Sequence, residues 1–206
     1  MLSKRADMTL PLLVVATRNA HKTEEIRQML AGLYEVRDLS SYPEAPEVEE
    51  TGETFAENAA LKAVSASRVI PGIVLADDSG LCVDALGGLP GVRSARFGGE
   101  EGNHELNNRK MMQELARFAD DVPMTARFMC VMVLAKDGEV LGEFSGSVEG
   151  SMLKELRGAK GFGYDPLFVP EGHERSFAEL TGEEKNGMSH RGRALAKAVE
   201  YLRGRQ

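Results

Sequence analysis

Asp77 and Asp78 stand directly behind the apolar run Ile73-Val74-Leu75-Ala76 and ahead of Ser79-Gly80. On an extended chain, adjacent side chains point to opposite faces, so one carboxylate serves a given site and its neighbour supports it. A second acidic pair, Glu49-Glu50, offers further oxygens of the kind that hold Mg²⁺, a hard ion that prefers oxygen ligands and retains water. A solvated acidic turn is the plainer account of Glu49, and a weaker one of an Asp-Asp-Ser-Gly run behind a buried strand.

Thr17-Arg18-Asn19-Ala20-His21-Lys22 also follows an apolar run, Leu12 to Ala16, and precedes residues at helical spacing. A helix N-terminus presents free N–H groups and the positive end of its dipole, which favours an anion such as phosphate. Thr17 and Asn19 add donors there and Lys22 a charge. The spacing is not that of a Walker A loop, and an ordinary N-cap with an exposed lysine is the alternative. Gly161-Phe162-Gly163-Tyr164-Asp165 combines glycines that admit a ligand close to the backbone, two aromatic faces for a base, and a carboxylate that reads polar edges. A tight turn with core aromatics would look the same. Ser189 caps a last helix whose first turn carries His190 and Arg191, with Lys185 just upstream. Cations at that end oppose the dipole, a misfit expected where a polar or anionic ligand binds. With Arg18, Lys22 and Lys62 added, these groups suit a small Mg²⁺-bound polyphosphate bearing a planar base, that is, a nucleoside triphosphate.

The elements that must position these groups are legible in the apolar spacing. Leu12 to Ala16 reads as a strand buried on both faces, and Ile26, Met29, Leu30 and Leu33 predict a helix ending near Gly32. The capping box Thr54-Phe55-Ala56-Glu57 opens a second helix with Phe55, Ala59, Ala63, Ala66 and Ile70 on one face, closed by Pro71. Ile73 to Ala76 predicts a short strand that empties into the Asp77-Asp78 loop. Residues 103–119 read as a helix, and residues 128–134, Lys136-Asp137-Gly138 and 140–148 as a β-hairpin. A glycine-rich loop, 158–165, leads to Leu167-Phe168-Val169, and Leu195, Ala198, Val199 and Leu202 mark the helix behind Ser189. Helices alternating with strands, plus one hairpin, predict a three-layer α/β fold around a mixed sheet.

The 206 residues suffice for one domain or a tight pair of lobes, and 42 % apolar against 28 % charged residues exclude a disordered or collagen-like chain. A net charge of −7 disfavours nonspecific nucleic-acid binding. Apolar runs fall far short of the roughly 20 residues of a membrane helix, so no membrane association is expected. Lys4-Arg5 ahead of an apolar stretch imitates a signal peptide, but Thr9 and Pro11 interrupt it and no small-x-small cleavage site follows. A cytoplasmic protein is expected, with a flexible lead-in at residues 1–10 and a single domain at 11–206. Cys82 and Cys130 lie in apolar surroundings and are expected as buried, reduced thiols.

These motifs together resemble the inosine/xanthosine triphosphate pyrophosphatases, the Ham1-like proteins. The resemblance runs from about Leu12 to Leu202 through ordered blocks: Thr17 to Lys22, Glu50 to Ala59, Ala76 to Leu81, Gly87 to Arg96, Gly161 to Pro166 and Ser189 to Gly192. It implies an elongated fold with a long mixed sheet flanked by helices, two lobes with the active-site cleft between them, a homodimer and a Mg²⁺ requirement. The implied activity is hydrolysis of ITP, dITP and XTP to the monophosphate and pyrophosphate. On this resemblance, the residues from Thr17 to Lys22 (Thr17, Arg18, Asn19, Ala20, His21, Lys22) and Lys62 correspond to triphosphate ligands. Glu50 and Asp78 correspond to Mg²⁺ ligands, with Asp78 also the water-activating base. Ser79 is a further substrate contact, and Phe162, Gly163, Tyr164, Asp165, Lys185, His190 and Arg191 hold the base and ribose. Arg18 and Lys160 depart from the family pattern, each standing where glycine is common. A Maf-type pyrophosphatase for modified nucleotides and a non-catalytic nucleotide sensor are the alternatives. The Ser79-Gly80 and Ser189-His190-Arg191 blocks favour the inosine family, and a carboxylate beside a metal carboxylate is superfluous in a sensor.

Overall fold

The computed structural model describes residues 10–205, so the expected lead-in, Leu10 apart, lies outside the described residues. The chain orders its elements as β1 (Leu12–Val15), α1 (Ala20–Met29), β2 (Glu35–Asp38), α2 (Phe55–Ser67), β3 (Val74–Val83), α3 (His104–Leu115), β4 (Thr125–Lys136), β5 (Glu139–Met152), β6 (Phe168–Pro170), α4 (Gly182–Met188) and α5 (His190–Arg203). The strands form one mixed sheet in the order β2-β1-β3-β4-β5-β6. β1 is parallel to β2 and β3, and the remaining pairs are antiparallel.

The apolar pattern explains the layers. Val15, Leu75, Cys130 and Met132 bury one sheet face against α1 and α5 through Ile26, Ala194, Leu195 and Ala198. Val14, Val74, Ala76 and Val133 bury the other face under α2, whose Ala59, Ala63 and Ala66 let it lie close to the strands. The predicted capping box is present: Thr54 Oγ1 accepts from the Glu57 N–H and the Glu57 carboxylate accepts from the Thr54 N–H. A second lobe gathers Leu81, Val83, Met111, Leu115, Phe128, Phe168 and Phe177. The three-layer, two-lobed architecture is therefore the observed one.

The chain departs from the expected elements at β3. It does not end at Ala76: Asp77 and Asp78 lie within a ten-residue strand, paired with Met132 and Val131 of β4. β1 pairs with β3 only at Val14–Val74 and Val15–Leu75, so beyond Leu75 one edge of β3 is released to the cleft. The strand tolerates a polar stretch there because β4 satisfies its backbone and the cleft supplies partners for its carboxylates. Gly80 is required at this point, since a Cβ would collide with the Gly91 carbonyl, the Ser94 hydroxyl and the Phe55 ring. The hairpin turns at Asp137 and Gly138, with φ of 53° and 84°, the positive pair that matches strand twist. Its strands are longer than the apolar run suggested, because β5 is polar on its outer positions. α1 stops at Met29, α2 at Ser67 and α3 at Leu115, each short of its expected end. Cys130 is buried with its thiol pushed up to about 12 by burial and by Asp77, whereas Cys82 is only half-buried. No helix among the described residues is long and apolar enough to cross a membrane.

Candidate active site

The two lobes enclose a cleft of about 360 Å³ whose floor is the released part of β3. Alternation along that strand sends its two aspartates to different neighbourhoods. Asp77 faces α1 and α5: its Oδ2 lies 3.1 Å from Lys22 Nζ and 3.3 Å from Arg191 Nη2, and the Ser79 hydroxyl donates to it at 3.3 Å. Asp78 faces α2: Asn58 Nδ2 donates to its Oδ2 at 3.2 Å, and Lys62 Nζ stands 3.5 Å from its Oδ1. Asn58 and Lys62 are one helical turn apart, so α2 presents both to the same carboxylate. Lys62 also reaches Glu50 at 2.6 Å, and Arg96 approaches the other Glu50 oxygen at 3.8 Å. Glu49 is exposed, so Glu50 is the member of that pair turned to the site.

Electrostatics separates the two aspartates. Burial would raise the Asp77 carboxyl, but Lys22 and Arg191 overcome it and hold the group well below the usual carboxylate range. For Asp78, burial, reinforced by Glu50 and Asp77, raises the carboxyl above its ordinary value against the pull of Lys62 and Lys22. Asp77 is thus a fixed anion, and Asp78 a carboxylate with enhanced basicity.

From Asp77 a chain of alternating charge crosses to the other wall. Arg191, 1 % exposed, binds Glu25 of α1, and Glu25 binds Lys185 at 2.8 Å. Lys185 reaches Asp165 at 2.6 Å, and Asp165 accepts the Phe162 N–H at 2.9 Å. Asp165 is raised by burial despite Lys185. Gly161, at φ 73°, is needed where that carboxylate crowds its Cα. His190 differs from expectation. Burial and the adjacent Arg191 and Lys185 charges push it well below the usual imidazole range, so it is a neutral ring stacked on Phe128 at 4.9 Å, not a cation. Tyr164 is buried and its hydroxyl donates to the Ser94 carbonyl at 2.9 Å, which fixes it in the cleft wall.

The Thr17 to Lys22 loop is likewise more occupied than its spacing suggested. Asn19 Oδ1 accepts from the His21 and Lys22 N–H groups at 3.0 and 3.2 Å, so the cap consumes two donors expected for an anion. Thr17 Oγ1 accepts from the Asn19 N–H, and Arg18 reaches over to the Ala45 carbonyl at 3.3 Å. Thr17, Arg18, Asn19 and Lys22 still line the cleft with Glu50, Lys62, Asp78 and Ser79, as do Phe162, Gly163, Tyr164, Asp165, Lys185, His190 and Arg191. Ala20 and His21 do not. His21 instead lines an adjoining cavity of about 260 Å³ that shares Phe162 and Lys185 with the cleft.

Several participants carry no strong sequence signal. Glu25 sits one turn after Lys22, and a charged residue on that helix face was the only hint. Asn58 directly follows the capping box, and Asn108 of α3, which donates to the Gly163 carbonyl at 2.9 Å, is one of two adjacent asparagines with no motif around them. Among the described residues no group of three or more His, Cys, Asp or Glu side chains forms a complete metal cage. The carboxylates Glu50 and Asp78 are a pair of hard-oxygen donors bridged by the Lys62 ammonium.

A profile of the Ham1 family matches residues 13–201. The dITP/XTP pyrophosphatase of Bacillus anthracis is 48 % identical over 192 residues, covering 92 % of this chain and 95 % of that protein. The dITP/XTP pyrophosphatase of Streptococcus thermophilus strain CNRZ 1066 is 47 % identical over 192 residues, 93 % of this chain, which spans only 59 % of that relative's length. Among solved structures, a HAM1 protein from Coxiella burnetii superimposes with a TM-score of 0.83 at 38 % identity, over 95 % of this chain and all (100 %) of the other. The Ham1 protein of Staphylococcus aureus gives 0.81 at 36 % identity, covering 94 % and 99 %.

Proposed function

The chain belongs to the Ham1 family, and from that premise and the cleft geometry we propose that it hydrolyses non-standard purine nucleoside triphosphates, dITP, ITP, XTP and dXTP, to the monophosphate and pyrophosphate. One observation carries the reading: a buried carboxylate of raised basicity, Asp78, shares Lys62 with Glu50 at the floor of a cleft lined by further cations. A group so poised accepts a proton at the α-phosphorus end of a bound triphosphate, where a sensor needs none.

In this mechanism Asp78 orients and deprotonates a water, and attack at the α-phosphorus expels pyrophosphate. Asn58 holds the second Asp78 oxygen, so that the basic one keeps its direction. Lys22 and Lys62 neutralise phosphate oxygens and steady the leaving group. Glu50 and Asp78 fit Mg²⁺, because two carboxylates leave room for the substrate oxygens and waters that this ion retains. When bound, the ion draws charge from the triphosphate. Phe162 offers its face to the base. Arg191 and Lys185 bring cationic N–H donors to the cleft, which suit the 6-oxo group of hypoxanthine or xanthine and not the 6-amino group of adenine, and Arg191 Nε has no partner among the described residues. Excluding guanine, which shares the 6-oxo group, requires a second contact at the 2-position. The working protein is proposed as a cytoplasmic homodimer, each chain a single domain over 11–206.

The test is a nucleotide panel with Mg²⁺, and again with EDTA, in which monophosphate, diphosphate, pyrophosphate and phosphate are resolved. kcat/KM for dITP and XTP is expected to exceed that for dATP and dGTP by at least about 10². EDTA is expected to stop turnover. Comparable rates on all the deoxynucleotides, or release of diphosphate and phosphate, would overturn the reading. Lys22→Ala and Lys62→Ala are each expected to weaken a non-hydrolysable ITP analogue by about tenfold or more, against little change for IMP, because each removes a charge-assisted phosphate contact. Calorimetry with both ligands checks this, and equal losses would place the lysines elsewhere.

A further inference from the structure

His21 was expected in the triphosphate loop, yet its ring turns away from the cleft and lies on Phe162, with centroids 5.3 Å apart and planes 13° from parallel. His104, the first residue of α3, closes the triangle at 6.0 Å from Phe162 and 6.1 Å from His21. The three rings come from α1, α3 and the 161–165 loop, and they stand where the cleft meets the adjoining cavity. We propose that His21 is a further base-binding residue: the purine stacks between its imidazole and the Phe162 ring. This role rests on the nucleotide-binding reading of the cleft.

The two rings are unequal in freedom. The Phe162 segment is held by Asp165 at its own N–H and by Asn108 at the next carbonyl, both at 2.9 Å. His21 is exposed on the first turn of α1, its backbone N–H is engaged by the Asn19 cap, and among the described residues no hydrogen bond holds its ring. A purine at the ordinary stacking distance on both sides sets its walls about 7 Å apart. Admitting a base between the nearly parallel rings requires a rotation of one exposed side chain, His21, about its own bonds. The adjoining cavity supplies volume beside the pair, and Glu25 and Lys185, which also line it, bring polar groups to the edge of a base held there.

The binding test uses the full chain with three ligands: ITP, IMP and inorganic tripolyphosphate, which has no base. His21→Ala is expected to raise KM for ITP and Kd for IMP by about tenfold with kcat within about twofold, as loss of one stacking partner does. Inhibition by tripolyphosphate is expected to be unchanged, and His21→Phe is expected to restore both constants to within about twofold of wild type. The chain has no tryptophan, so His21→Trp places a single reporter at the ring, and IMP is expected to quench it. Unchanged IMP affinity in His21→Ala, equal weakening of tripolyphosphate and IMP, or no change in the tryptophan signal would each overturn the role. The binding arms are separable from turnover. A wild-type chain that binds IMP and never hydrolyses ITP overturns the proposed activity, whereas an active wild type with an indifferent His21→Ala overturns only the stacking role.

Discussion

Asp78→Asn is expected to lower kcat by about 10² to 10⁴ while the melting temperature holds or rises. The substitution keeps the shape and an acceptor for Asn58 Nδ2, which lies 3.2 Å from Asp78 Oδ2, but removes the basic oxygen and its charge. The stability half follows from the direction of the pKa. Burial, with Glu50 and Asp77, lifts the Asp78 carboxyl above its unfolded value, so the folded chain holds that proton more tightly than the unfolded chain does. Stability linked to this group is complete below the unfolded pKa and is lost as pH rises through the raised one. An amide never ionises, so that loss disappears at neutral pH. Steady-state kinetics with ITP and thermal unfolding at pH 7 check both halves. A variant that keeps more than about a tenth of the rate removes Asp78 from the reaction, and a sharply lower melting temperature contradicts the strained carboxylate.

The neighbouring substitution, Asp77→Asn, is expected to do the opposite. Asp77 is fully buried between Lys22 and Arg191, and its loss leaves Arg191, 1 % exposed, with Glu25 as its remaining carboxylate partner and the Ser79 hydroxyl at 3.0 Å as a neutral one. Removing one partner of a buried pair costs about 3 kcal/mol, or about 6–12 °C in melting temperature for a chain of this size. Here the folded pKa is depressed, so the stabilisation is present above the unfolded carboxylate value and is lost as pH falls through and below the ordinary range. The melting-temperature gap between wild type and variant is therefore expected to be wide at pH 7 and to narrow below about pH 4. Equal melting temperatures at pH 7 would mean that the ion pairs stabilise nothing net. Activity measured well below the transition is expected to fall less than for Asp78→Asn, since Asp77 touches neither Lys62 nor Glu50. Complete loss in both variants would bring Asp77 into the reaction as well.

The sequence by itself determined what is local. The apolar runs located β1 and the start of β3, Thr54 and Glu57 announced the N-terminus of α2, and the alternation rule stated that Asp77 and Asp78 part company. The ordered motif blocks carried the family likeness, and the loops they name do converge on one cleft. What alternation does not contain is which face each aspartate meets. That was decided by packing: α2 brings Asn58 and Lys62 to one face of β3, while α1 and α5 bring Lys22 and Arg191 to the other. The charge state of each group followed, because a pKa depends on burial and on charges a few ångströms away, whatever their separation along the chain. Glu25 and Arg191 lie 166 positions apart and share an ion pair. His190, which its place beside Arg191 in the sequence suggested as a cation, is held neutral because the fold encloses it beside two cations. Tyr164 and Phe162 share one motif, yet the Ser94 carbonyl fixes the first in the wall, and the second is left with a face that His21 covers. Residue type and spacing express preferences of a few neighbouring residues, whereas burial, ion pairing and ring contacts are made between segments that only the folded chain brings together.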